Sequence, residues 1–327
     1  PEDFNDYIES SEYLALIDLI AFLGQNIAFR TDLNARENFL ELAERRESVL
    51  RLARTLSYNP KRNQSANGLL KIESVSTTET ISDSNNLNLA KTAAFKAGKI
   101  LISSKANLNK EQVSHGKDIK LKADIEAEEI IKKHISKESH LPMLGEETGK
   151  SVEDLGSSFW VIDPLDGTAN YSRGIPICCV SIALIHDMQP VVGVIYDFNN
   201  DDLYEGSIDS PAFLNGDVIK VNNNLDAKES ILLTGLPLLT DYSDSALVAM
   251  AKDFQKWKKV RMIGSAAMAA AYVASGKADM YKESGAFLWD VAAGAAIINA
   301  ANGEALLSNQ KDNYQVDVAF TNRNLNK

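Results

Sequence analysis

Apolar positions recur at helical spacing through the first part of the chain. Tyr13 to Phe29 is rich in them, and from Asn34 to Leu56 the residues Phe39, Leu40, Leu42, Ala43, Val49, Leu50, Ala53 and Leu56 follow the same period. This spacing predicts helix over residues 11–57, closed by Asn59-Pro60. Residues 68–80, with Leu69, Leu70, Ile72, Val75 and several Thr, predict a strand, and the polar, Asn-rich stretch 82–88 predicts a turn or junction. From Leu89 the pattern changes to a helix reaching about Ile102, an extended piece, and a helix from Asp124 to His134. Short apolar runs then alternate with turns. Phe159–Ile162 reads as a buried strand, and Val180–Ile185 with Val191–Tyr196 as a hairpin around Met188-Gln189. The Ala-rich stretches 265–275 and 291–301 read as helices, and no internal repeat is visible.

This change of pattern suits two units, and 327 residues leave room for both. An apolar fraction of 45% and a charged fraction of 24% are those of a folded chain, which excludes a disordered or collagen-like one. The longest apolar stretch, Tyr13–Leu23, contains Asp18 and is too short to span a bilayer. It also lacks the basic flank of a signal peptide. No membrane partner is therefore expected, and the formal net charge of -11, which repels a phosphate backbone, makes nucleic acid an unexpected partner as well. Cys178 and Cys179 are adjacent and form no disulfide framework, which fits a reducing, cytoplasmic setting. The chain begins at Pro1 rather than at a methionine, so an upstream piece is expected.

The chemistry concentrates in Trp160-Val161-Ile162-Asp163-Pro164-Leu165-Asp166-Gly167-Thr168. A buried strand runs into two carboxylates three residues apart. Pro164 between them denies the backbone a regular continuation, so both acids can turn toward one point, as hard divalent cations require. Gly167 and Thr168 open the next segment, where free N–H groups could receive a phosphate. Alone, Asp-Pro-x-Asp-Gly reads equally well as a strand-ending turn. Two further acidic segments sit within apolar sequence, Leu144-Gly145-Glu146-Glu147-Thr148 and Leu288-Trp289-Asp290-Val291-Ala292. Taken singly, Glu146 is a surface turn acid and Asp290 a helix N-cap.

In combination and order, these segments resemble the inositol monophosphatase family from about Leu89 to the end of the chain. The resemblance includes Val260-Arg261-Met262-Ile263-Gly264-Ser265-Ala266-Ala267 and Gly276-Lys277-Ala278-Asp279, which look like the family's substrate-side segment. It implies an α/β fold, a layered α-β-α-β-α sandwich, over residues 87–327, with residues 1–86 as a mainly helical appendage. It further implies a lithium-sensitive phosphomonoesterase using two or three Mg²⁺ ions, held by Glu146, Asp163, the carbonyl of Leu165, Asp166 and Asp290. Glu147 would lie nearby without being a principal ligand. Thr168 and Glu146 would orient the attacking water, with Asp124 hydrogen-bonded to Thr168. Gly167 and Thr168 would offer backbone donors to the phosphate, Gly264, Ser265 and Ala266 would bind the substrate from the substrate-side segment, and Glu283 would contact the hydroxyls of a phosphorylated polyol or sugar. A homodimer is the oligomer the family suggests.

Two departures stand out. Leu121 occupies the position where the family usually has Thr, three residues before Asp124, and Gly206–Phe213 replaces a shorter G-x-G-A-F turn. A haloacid-dehalogenase-type phosphatase would place its two acids two apart, with the first as nucleophile. A nucleotide 3'-phosphatase, acting on 3'(2'),5'-bisphosphates, would carry Lys after Asp-Gly-Thr, where Ala169 stands. Cys178 and Cys179 read as buried filler, Trp160 and Trp289 as core anchors beside the acids, and His115, His134, His140 and His186 lack metal-ligand spacing.

Residues 1–86 do not share that resemblance. Ser11–Leu14, Phe29–Leu40, Ala43–Val49 and Leu56–Pro60 resemble an N-terminal segment of a contractile-phage baseplate wedge protein. This implies baseplate subunits as partners, and a host cytoplasm if the chain is phage-encoded. No Gly/Ser- or Pro-rich linker separates Ile81 from Lys91, so the join is either a phage-borne fusion or two coding pieces joined artificially.

Overall fold

A computed structural model of the chain describes residues 83–103, 111–115, 118–236 and 241–325. The helix expected over 11–57 and the strand expected over 68–80 lie outside the described residues. Helix α1 (Asp83–Ser103) begins within the Asn-rich stretch expected to be a turn. The poor helix propensity of those Asn residues is outweighed by a buried face of Leu89, Ala90, Ala93, Ala94, Ala97 and Leu101. Strands β1 (Glu111–His115) and β2 (Asp118–Leu121) pair antiparallel and lead into helix α2 (Lys122–Ile135).

Next come β3 (Met143–Gly145), β4 (Gly149–Lys150), β5 (Ser158–Asp166), the short helix α3 (Thr168–Arg173), β6 (Cys179–His186), β7 (Gln189–Asp197), β8 (Asp202–Ser207), β9 (Ser210–Leu214) and β10 (Asp217–Val218). The strands form an eight-stranded sheet in the order β10-β9-β8-β7-β6-β5-β3-β4. The expected hairpin is present, but its turn is Asp187-Met188 rather than Met188-Gln189. Both turn residues have positive φ, 46° and 61°, which matches the right-handed twist of the strands they join. The departure at 206–213 is the β8–β9 hairpin, turning at Ile208-Asp209 on the side of the sheet away from β3 and β4.

A second sheet, in the order β12-β11-β13-β15-β14, is built from β11 (Ile231–Thr234), β12 (Lys259–Met262), β13 (Met280–Phe287), β14 (Glu304–Ser308) and β15 (Gln315–Thr321). Helices α5 (Ala266–Ala274) and α6 (Leu288–Ala300) lie between the two sheets. Their small side chains permit close approach: a Cβ on Gly193 of β7 would meet the Ala293 carbonyl oxygen at 2.2 Å, and one on Gly294 would meet Ala270 Cβ at 2.4 Å. Helices α1 and α2 cover the other face of the large sheet. Helix α4 (Asp244–Phe254) joins the second sheet through an ion pair between Asp253 and Lys282 of β13. The layers therefore run α-β-α-β-α. Among the described residues, no helix is long and apolar enough to cross a membrane.

Candidate active site

Strand β5 does not stop at Ile162. It continues through Pro164 to Asp166, and its pairing with β6 slips by one residue on the way: Asp163 faces Ser181, whereas Asp166 faces Cys179. Three steps along β5 thus match two along β6, which is a β-bulge. In a regular strand, residues three apart point to opposite faces. The extra residue at Pro164-Leu165 cancels that alternation and turns Asp163 and Asp166 to the same face. Proline is tolerated here because a bulge asks no ladder hydrogen bond of it.

Both acids face one cavity of about 490 Å³. Its wall includes Glu146, Asp163, Leu165, Asp166, Gly167, Thr168, Gly264, Ser265, Ala266, Glu283 and Asp290. Every site residue anticipated from the sequence except Asp124 is therefore gathered there, from five different segments. Asp124 lies one layer behind on α2, buried, and accepts a hydrogen bond from Thr168 Oγ at 3.4 Å, while the same hydroxyl donates to the Leu165 carbonyl at 3.1 Å. The side chain of Leu121 lies outside the described residues.

Each carboxylate has its own anchor. Asp163 Oδ1 accepts the Leu165 N–H at 3.0 Å, which closes the bulge. Asp166 is held by the start of α5: Ser265 Oγ, the Ala266 N–H at 3.3 Å and the Ala267 N–H at 2.8 Å all donate to it. Ser265 also caps α5 by accepting the Met268 N–H at 3.2 Å, so one hydroxyl fixes both helix and acid. Asp290 is not the N-cap of α6 but its third residue. Its carboxylate reaches back to the Phe287 N–H at 2.9 Å, because the chain enters the helix directly from β13, with Phe287 in the cap position. Glu146 begins the turn between β3 and β4, and its N–H donates to the Ile162 carbonyl at 3.1 Å. Gly167, at φ 89°, leaves no room for a side chain, since a Cβ would stand 2.8 Å from the Ile177 carbonyl oxygen.

Crowding shapes the electrostatics. Burial pushes the Asp163 carboxyl well above its ordinary range, and the charges of Glu146, Asp166 and Asp290 push it further. Burial likewise raises Glu146 well up, with Asp290 adding to it and a hydrogen bond shared with Asp163 opposing it. Asp290 is raised well up by burial and by Asp166. Asp166 is raised by burial against the pull of its donors at α5. Glu283 is pushed up to about 7, chiefly by burial, and accepts the Tyr281 hydroxyl at 3.1 Å.

Among the described residues, no group of three or more His, Cys, Asp or Glu side chains is placed to hold a metal ion. The donor set nevertheless fits a hard cation. It consists of carboxylates and a main-chain carbonyl at one cavity, and the mutual repulsion that raises these acids is what a bound cation relieves.

A family model, the inositol monophosphatase family, matches residues 83–326. The chain belongs to the inositol monophosphatase family. The "Nus factor SuhB" of Xylella fastidiosa is 36% identical over 224 residues, covering 66% of this chain and 80% of that protein. The "Inositol-1-monophosphatase" of Mesorhizobium japonicum is 36% identical over 221 residues, 66% of this chain and 83% of that one. The "Fructose-1,6-bisphosphatase/inositol-1-monophosphatase" of Aquifex aeolicus is 36% identical over 223 residues, with 66% and 83% covered. Among solved structures, the suhB protein of Bartonella henselae superposes with a TM-score of 0.67 at 31% identity, covering 73% of this chain and 95% of that one. A second model, the bacteriophage baseplate protein N-terminal domain, matches residues 6–55.

Membership makes the chain a phosphomonoesterase of a metal-dependent family. The cavity wall also contains residues not singled out from sequence. Thr234, Gly235 and Leu236 line it from the end of β11, as do Tyr281 and Phe287. Trp160 is buried in the core as expected, its Nε1 donating to Ser139 Oγ at 3.0 Å, but Trp289 is only partly buried and stacks on Phe287, 4.6 Å between centroids, in the cavity wall. Its indole also lies 6.5 Å from the Tyr314 ring and packs against the edge of the core. Asn170 donates to the carbonyls of Ile177 at 2.7 Å and Ile263 at 2.8 Å, tying α3 to the segment before α5. An Asn within a short helix was the available signal, since its side chain competes for backbone partners.

Proposed function

We propose that this chain hydrolyses a small polyol or sugar phosphate such as inositol 1-phosphate, with Mg²⁺ and water as nucleophile. The observation that carries this reading is the bulge at Pro164-Leu165, which turns two carboxylates into the cavity that also receives Glu146 and Asp290. Glu146, Asp163, the Leu165 carbonyl, Asp166 and Asp290 would hold two or three ions. Bound Mg²⁺ supplies positive charge that offsets the dianionic ester and acidifies water. Thr168, held between the Leu165 carbonyl and Asp124, orients the attacking water together with Glu146. Gly167 and Thr168 offer N–H groups to the phosphate, and the Gly264–Ala266 segment closes the same side. Glu283, beside Tyr281 in the same cavity, receives the hydroxyls of the leaving alcohol. Displacement is in line, and no phosphoenzyme forms.

Within this substrate class a sugar bisphosphate is the second candidate, supported by the double name of the Aquifex aeolicus relative. Phosphate release from inositol 1-phosphate, fructose 1,6-bisphosphate and a 3'-phosphonucleotide, each with Mg²⁺ and with added Li⁺, tests the choice. The expected result is turnover of the first or second that Li⁺ suppresses. Preference for the nucleotide would move the chain to the nucleotide branch, and a trapped phosphoaspartate would overturn the mechanism. For residues 1–86 we propose a separate role in contacting baseplate subunits, supported by the match over residues 6–55. Failure of the full chain to bind wedge proteins would contradict it.

A further inference from the structure

Helix α2 carries two buried carboxylates one turn apart, Asp124 and Glu128, on the face that also buries Ala127, Ile131 and Ile135. Asp124 reaches Thr168, as described. Glu128 is fully buried and spends both of its oxygens on the turn that follows β3. Its Oε2 accepts the Glu147 N–H at 2.8 Å, and its Oε1 accepts the Thr148 N–H at 3.2 Å and the Thr148 hydroxyl. Lys132, one turn further along α2, supplies the balancing charge at 2.8 Å and also donates to the Thr148 hydroxyl.

The fit is tight enough to dictate the neighbouring residue: a Cβ on Gly145 would stand 2.4 Å from Glu128 Oε1. The turn is thus gripped at Glu146 by the Ile162 carbonyl of β5 and at the next two residues by Glu128. A buried carboxylate with three donors and a lysine is a costly arrangement for packing alone, because its desolvation must be repaid by all of these partners together.

We infer that Glu128 is a positioning residue for the proposed cation site, setting the place of the Glu146 carboxylate relative to Asp163 without touching cation or substrate. Glu128 holds the two residues that follow Glu146, so the carboxylate of α2 fixes the turn from which the Glu146 side chain leaves. The inference rests on the metal-dependent reading of the site given above. Outer partners of this kind typically change metal affinity 10- to 100-fold when removed.

The test is Mn²⁺ binding to the full chain, read from the loss of the free-ion electron paramagnetic resonance signal, with thermal melting alongside. Glu128→Gln keeps the shape but sets an amide N–H₂ against an N–H or hydroxyl donor of the turn. The expected result is a rise of about 10-fold or more in the Mn²⁺ dissociation constant, while KM for the ester moves less than about twofold. Thr148→Val, at an exposed position, removes one of the three donors and is expected to weaken Mn²⁺ about two- to fivefold, the factor of one modest hydrogen bond. If Glu128→Gln does not fold, Thr148→Val decides alone. A lower melting temperature with unchanged Mn²⁺ affinity, in a parent chain that binds Mn²⁺, overturns the positioning role and leaves the metal site standing. A parent chain that binds no Mn²⁺ overturns both.

Discussion

Asp163 and Asp166 share a face because of one extra residue, yet the two acids are held by different means. Asp163 has a single backbone donor and is surrounded by like charges, whereas Asp166 has three donors from the start of α5. Removing the Asp163 charge is therefore expected to cost function and not fold. Asp163→Asn should lower turnover more than about 100-fold, the upper range for outer-sphere partners and a floor for a ligand. Its melting temperature should equal or exceed that of the parent, since a desolvated, repelled charge is lost. Steady-state phosphate release and a thermal melt check both halves, and near-normal turnover with Mg²⁺ would contradict the ligand assignment. Ser265→Ala should behave differently, because the hydroxyl serves helix and acid together. It should destabilise the chain by about 0.5–2 kcal/mol, the range for a lost N-cap, and also slow turnover. A melt unchanged within experimental error would show that the cap carries no load.

At the level of elements, α1 and α2 meet through Lys96 and His134, with Lys96 Nζ donating to His134 Nδ1 at 3.0 Å. A neutral ring is required to accept that bond, and burial, together with the charges of Lys96 and Lys137, lowers the His134 pKa from 6.5 to about 4. The unfolded chain therefore binds this proton more readily than the folded one. Its contribution to stability is complete above pH 6.5, declines as pH falls from about 6.5 toward 4, and is level below that. His134→Gln, which keeps an acceptor without a titrating group, should flatten this part of the curve. Chemical denaturation of both proteins between pH 4 and 7 reads the difference, and parallel curves would contradict it. The helices α2, α5 and α6 were legible in sequence because their apolar and Ala-rich runs are long and periodic. The bulge in β5 was not. Asp-Pro-x-Asp-Gly has the composition of a turn, and only pairing with β6 decides that the chain stays in the sheet. The second sheet was equally hidden, since its strands are short or mixed in pattern and are fixed by partners far along the chain, such as β11 with β13.

Across the whole molecule, the acidic surplus of the sequence gave no hint of where the chemistry lies, because it is spread over the full length. The site is a matter of convergence: six segments between residues 146 and 290 meet at one cavity, and all but the segment at 234–236 were readable in order before their geometry was. Glu146 and Asp290 are ordinary acids when read singly, one in a turn and one in a helix start. Their role becomes visible only when the two sheets and the helices between them bring them against Asp163. A chain whose acids are raised by burial, and for Glu146, Asp163 and Asp290 by neighbouring charges as well, should gain stability from any cation that enters among them. Mg²⁺ at saturating concentration is accordingly expected to raise the melting temperature of the parent chain, and much less that of Asp163→Asn. An identical shift in both would place the ion elsewhere. The most direct measurement is phosphate release from inositol 1-phosphate by the full chain, titrated with Mg²⁺ after chelator treatment, with Asp163→Asn run in parallel. Turnover that is absent with chelator, restored by Mg²⁺ and missing in the variant is the predicted result. Equal phosphate release by the two proteins, or release that ignores the chelator, would contradict the account.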